Sequence, residues 1–184
     1  VRVMIEFSGS TMIQYNGKEK RVYEGGFRGD IKNGFMRDGR GYEMDENERM
    51  KRVCVYENGR MKRVMREFNG SSMIEYDSNG RKMYEGQYGG DIKNGFKRNG
   101  QGYSLDKNGI VKQCCIYEDG CLVRVIQELN GNEMTEYDEN GKRRYVGGFT
   151  GDMKTGFKRN GRGYCSDENE VVELFGLFDN GVVK

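Results

Sequence analysis

The chain has 184 residues, 35% hydrophobic and 33% charged, with 29 glycines and neither proline nor tryptophan; so lean an apolar share argues against a thick closed core. Its 31 basic and 29 acidic side chains leave a net charge of +2, too balanced for nucleic-acid binding through the overall field. Histidine is absent, which removes Ser-His and Cys-His nucleophiles and histidine metal sites.

From the first residues onward the pattern alternates. Val3, Ile5 and Phe7 fall on one face of a strand, Ile13 and Tyr15 share a side, and Tyr23, Gly25 and Phe27 do the same. Asn-Gly at 16, 33, 58, 69, 79, 94, 99, 108, 130, 140, 160 and 180, and Asp-Gly at 38 and 119, separate such runs. These dipeptides tolerate positive φ and are the strongest short-range hairpin signal. Helical periodicity is sustained nowhere. With roughly six turns in each period, about six short strands per period are expected.

That period is 61 residues. Tyr23-Glu24-Gly25-Gly26-Phe27 returns as Tyr84-Glu85-Gly86-Gln87-Tyr88 and as Tyr145-Val146-Gly147-Gly148-Phe149, and Gly29-Asp30-Ile31-Lys32-Asn33-Gly34-Phe35 returns in the same phase. Three copies, 1–61, 62–122 and 123–183, form one continuous array over 1–184. A repeat that cannot bury its apolar face alone must stack on its neighbours. The expected fold is all-β: an elongated, twisted, single-layer antiparallel sheet of successive hairpins, open at its ends.

Copies one and two each carry a net charge of +2 and the third −3, a gradient able to order arrays end to end. Cys54, Cys114, Cys115, Cys121 and Cys165 are odd in number and show no C-x-x-C spacing, so neither zinc nor a disulfide framework is expected, and reduced thiols in a cytoplasmic protein are the simplest reading. The missing initiator methionine and the near-integral number of periods point to a segment of a longer array. Asp30, Asp91 and Asp152 stand in identical Gly-Asp-x-Lys settings and read as turn closers. The segments from Asp77, Asp106 and Asp138 look like half a calcium loop, but their twelfth positions are Tyr88, Tyr117 and Phe149, so Asx-turns are the better reading. No catalytic residue, cofactor or metal is assigned.

Two features carry functional weight. One is the recurring ring row, from which Tyr23, Phe27, Tyr42, Tyr84, Tyr88, Tyr103, Tyr145, Phe149 and Tyr164 are candidates for partner binding if one face lacks a covering layer; the alternative is that they hold the sheet together. The other is the basic stretch Arg49, Lys51, Arg52, Arg60, Lys62, Arg63 and Arg66, which departs from the repeat and is a candidate for acidic phospholipid head groups. Its alternative is a charged edge that discourages strand pairing with other molecules.

Tyr23-x-Gly25-x-Phe27, followed by Gly29, Gly34 and Gly39-Arg40-Gly41-Tyr42, with equivalents at 84–103 and 145–164, resembles the membrane occupation and recognition nexus (MORN) repeat. The remainder of each period looks like degenerate hairpins of the same kind. The resemblance implies a scaffold that binds protein partners, often dimerises, and in some members meets membranes or phosphoinositides. The expected role is a non-enzymatic adaptor for protein partners, in the cytoplasm or at its membrane or cytoskeletal periphery, self-associating as a homodimer. A peripheral phospholipid-binding module and an accessory domain of a larger enzyme are the rivals.

Overall fold

A computed structural model describes residues 4–184, and among them the backbone is strand and turn throughout. The first copy supplies five strands, β1 (Met4–Ser8), β2 (Thr11–Tyr15), β3 (Arg21–Asp30), β4 (Gly34–Met44) and β5 (Met50–Glu57). The second supplies β6 (Arg60–Asn69), β7 (Ser72–Tyr76), β8 (Lys82–Asp91), β9 (Gly95–Leu105) and β10 (Val111–Glu118). The third supplies β11 (Cys121–Asn130), β12 (Glu133–Tyr137), β13 (Arg143–Asp152), β14 (Gly156–Ser166) and β15 (Val172–Asp179), and β16 (Val182–Val183) follows. Each strand is hydrogen-bonded to the next in one open sheet of sixteen. Val3, expected beside Ile5 and Phe7, lies outside the described residues.

Five strands per copy, not six, follow from one dipeptide that does not make a turn. Asp38-Gly39 sits inside β4, where Phe27 pairs with Arg37 and Gly25 with Gly41, so extra residues on β4 face a single Gly26. Gly39 has φ +72°, a conformation that lets the strand bulge and continue instead of reversing. Asn58-Gly59 does reverse the chain, and tightly. Asn58 and Gly59 both have positive φ, 51° and 80°, and form the two-residue link from β5 to β6 that matches the twist of paired strands.

The other recurring link is an Asx-turn. Asp106 Oδ1 accepts the backbone N–H groups of Asn108 and Ile110 at 2.8 and 3.0 Å, and Asp45, Asp77, Asp138 and Asp167 close the same loop. Asp30, Asp91 and Asp152 accept from the amides of Asn33, Asn94 and Thr155, so they are turn closers as expected. Backbone N–H groups aimed at these carboxylates hold them below the ordinary aspartate value. The unfolded chain then binds more protons in acid, so the stabilisation is complete above the ordinary aspartate range and is lost as pH falls through the lowered folded-state values. An acid titration of the urea midpoint is expected to fall in that window, and D106A to flatten part of the drop. An unchanged titration in D106A contradicts this account.

The chain divides into two compact units, one reaching to Met83 and including Gly90–Gly95, the other comprising Tyr84–Gly89 and Phe96–Lys184. In the first, Met12, Tyr23, Cys54 and Tyr56 are buried, with Ile5, Phe27, Phe35 and Val64 around them. In the second, Leu129, Met134, Tyr145 and Phe178 form the equivalent cluster with Val111, Phe149, Phe157 and Cys165. Val111 comes from β10, a strand of the preceding copy. Tyr103 of β9 likewise meets Phe157 of β14, ring centroids 6.0 Å apart and nearly perpendicular. Five strand spacings on a flat sheet would part them by about 24 Å, so within this unit the sheet curls until one copy covers the next.

Candidate interaction surface

The most regular feature is a tyrosine laid over a glycine pair. Gly25 and Gly41 are cross-strand partners on β3 and β4, and the Tyr23 ring occupies the space their missing side chains leave. Its hydroxyl donates to the Gly26 carbonyl at 2.8 Å. Tyr84 donates in the same way to Gln87, and Tyr145 to Gly148. The guanidinium groups of Arg37, Arg98 and Arg159 lie over these rings at 4.2, 4.4 and 4.8 Å. Tyr56, Tyr117 and Phe178 close the set edge-on, at 5.4, 5.4 and 5.1 Å.

Each arginine therefore sits on desolvated aromatic faces, an arrangement worth more than its exposed counterpart. In the first copy Arg37 also donates to Gln14 Oε1 at 2.9 Å and lies 3.1 Å from Glu43, which in turn accepts the Tyr56 hydroxyl. Burial pushes the Tyr23 phenol up to about 12 and the Cys54 thiol to about 11. Neither is disposed to ionise near neutrality. All five cysteines are free thiols; Cys54, Cys114 and Cys115 are buried and Cys121 is exposed.

This geometry corrects the ring row. Tyr23, Tyr84 and Tyr145 are wholly buried, because the glycine pairs draw the rings down onto the backbone, so they brace the sheet and offer nothing to a partner. The remaining rings do not form one surface either. Tyr23 is opposite Glu43 whereas Tyr42 is opposite Glu24, and Tyr145 is opposite Cys165 whereas Tyr164 is opposite Val146; neighbours along a strand point to opposite faces. Tyr42 and Tyr164 are thus on the side away from Tyr23 and Tyr145. Phe27 meets Phe7 and Phe35 at 4.9 and 5.8 Å, Phe149 meets Phe157 at 5.7 Å, and Tyr88 meets Phe96 at 5.9 Å. Tyr103 is taken up by Phe157.

Tyr42, half-buried, lies beneath the Arg40 guanidinium at 5.5 Å and lines a groove of about 710 Å³ with Thr11, Arg21, Glu24, Asp91 and Lys93, all within the first unit. Arg21 donates to Glu24 at 2.7 Å along its wall. The groove thus brings together a ring, cations and the carboxylates of Glu24 and Asp91. Arg40 was not singled out from the sequence, although its Gly-Arg-Gly-Tyr setting was legible there.

The basic stretch is partly neutralised. Arg52 lies 2.8 Å from Glu43, Lys62 2.5 Å from Glu57 and Arg66 2.8 Å from Glu75. Arg49, Lys51, Arg60 and Arg63 remain exposed. No helix among the described residues is long and apolar enough to cross a membrane.

No family model and no curated protein matches the chain. Among solved structures, an alternansucrase in complex with isomaltononaose is similar over 97% of this chain, at 14% identity and a TM-score of 0.20. The match spans 18% of that enzyme, and a likeness so slight carries no argument about function.

Proposed function

We propose that this chain is a non-enzymatic, MORN-like scaffold that binds protein partners on its exposed sheet surface. The observation that carries the reading is the groove at Tyr42, where a ring stacked under Arg40 stands among the charges of both signs from Arg21, Glu24 and Lys93. Tyrosine and arginine dominate the energetics of protein interfaces, and a shallow mixed-charge groove suits a peptide segment better than a small apolar ligand. The threefold array supplies a stiff support for such a site. The basic stretch supports a phospholipid-binding reading less, since carboxylates on the sheet hold three of its seven charges.

The test is capture of partners from a native extract by the wild-type chain and by a Y42A/R40E variant, followed by affinity measurement on whatever is captured. Loss of a ring and reversal of a charge at an interface centre is expected to weaken binding by about 30-fold or more. Partners held equally by both proteins remove the groove from the account. Capture of nothing removes the scaffold role.

A further inference from the structure

Twelve asparagines are followed by glycine, and each such pair carries the parts of a slow reaction with itself. The glycine amide nitrogen, on losing its proton, attacks the asparagine Cγ; a C–N bond closes a cyclic succinimide, and Nδ2 takes up a proton and leaves as ammonia. Water then opens the ring at one carbonyl or the other, giving aspartate or isoaspartate. Nothing is oxidised or reduced. The attack requires a free amide nitrogen brought into close contact with Cγ, so a hydrogen bond that holds the amide, or a contact that holds the side chain elsewhere, suppresses it.

The fold applies such a restraint at almost every pair. The amides of Gly59, Gly80, Gly109, Gly141 and Gly181 donate to the carbonyls of Arg37, Asp77, Asp106, Asp138 and Arg159 at 2.8–3.1 Å. Asn33 and Asn94 donate their side-chain amides to the carboxylates of Asp30 and Asp91. Asn16 Oδ1 accepts the backbone amides of Lys18 and Lys20. Asn99 and Asn160 lie inside β9 and β14, where Gly100 and Gly161 pair with Tyr117 and Phe178 of the next strand. After Asn69, Gly70 has a contact of its own. Asn130-Gly131 has none of these restraints. Both residues are exposed, and Gly131 sits in the two-residue link between β11 and β12 at φ +60°, with open space around it. Among the described residues, neither the Gly131 amide nor the Asn130 side chain has a hydrogen-bond partner.

We propose that Asn130 is a self-modification site, the asparagine that passes through succinimide to isoaspartate and aspartate ahead of the restrained ones in the folded chain, and that the change loosens the hairpin it heads. Asn130 pairs with Glu133 and Leu129 with Met134, and Leu129 and Met134 belong to the buried Tyr145 cluster. Isoaspartate routes the main chain through the former side chain and adds one carbon to it, so β11 and β12 no longer meet in register. Aspartate sets a carboxylate opposite Glu133, a like-charge cross-strand pair. The first copy has Ser8-Gly9 at the equivalent place, with Gly9 at φ +58°, a link of the same kind that cannot undergo the reaction. No partner is involved, so the proposal is independent of the scaffold reading.

Peptide mapping by mass spectrometry of the whole chain aged in neutral buffer tests it, with isoaspartate scored by enzymatic methylation. One hydrogen bond of ordinary net worth slows the attack by about fivefold. The Asn130 peptide is therefore expected to gain the deamidated mass about fivefold or more faster than peptides holding Asn58, Asn79, Asn108, Asn140 and Asn180. In urea, where no amide is held, the rates should converge. The aged wild-type chain should show a lowered urea midpoint. N130S gives this link the residue of the first copy, so it should start from the wild-type midpoint and keep it on ageing. Equal rates at all these positions in the folded chain overturn the proposal, as does a lead at Asn130 that persists in urea, which places the cause in the flanking residues and not in the fold. A midpoint that stays unchanged after conversion at Asn130 overturns the loosening of the hairpin.

Discussion

Replacing Tyr84 by alanine is expected to lower stability by about 3–5 kcal/mol, the range for deleting a large buried ring, and to be read as a drop in the urea midpoint. The ring is wholly buried, and it is the common neighbour of Gly86, Gly102, Arg98 and Tyr117. Its removal exposes the backbone of two strands, strips Arg98 of an aromatic face, and leaves Tyr117 without its edge-on partner. Y84F separates the ring from its hydroxyl. The phenol donates to the Gln87 carbonyl at 2.8 Å, and losing one such bond costs about 1 kcal/mol. Y84F should therefore retain most of the stability that Y84A loses. Equal effects from the two substitutions would mean that the hydrogen bond, and not the covering of the glycine pair, is what matters.

G102A is the complementary experiment. A Cβ at this position would stand 2.5 Å from Cζ of Tyr84 and closer still to Cε2 and the hydroxyl. The ring has nowhere to retreat, because Gly86 beneath it is itself set against Gly102 and the Gln101 carbonyl. Overpacking of this kind costs about 1–3 kcal/mol, and a full methyl forced into a planar contact belongs at the upper end. The three nearest atoms to the added carbon all belong to Tyr84. In a Y84A background the same glycine substitution should therefore cost little, so the two changes are strongly non-additive. Additive losses in the double-mutant cycle would show that Gly102 is required for some other reason.

Much of this was legible in the sequence, and for local reasons. Asn-Gly and Asx dipeptides set φ and accept neighbouring amides within a few residues, so the hairpins, the turn-closing aspartates and the all-β class can be read without knowing what touches what. What remained hidden depended on residues distant along the chain. Asp38-Gly39 looks like every other turn dipeptide, and only its opposite strand makes it a bulge. The ring row looks continuous when spelled out, yet register sends Tyr23 and Tyr42 to opposite faces, and the glycine pair across the sheet buries Tyr23 altogether.

The sequence by itself determined the period, the hairpins and the absence of histidine chemistry, because those follow from backbone preference and residue inventory. Tertiary structure alone decided which aromatic side chains are buried and which cations of the basic stretch meet carboxylates. A residue's burial depends on what the curled sheet brings against it, and that is a property of paired strands far apart in sequence, not of the residue or its flanks.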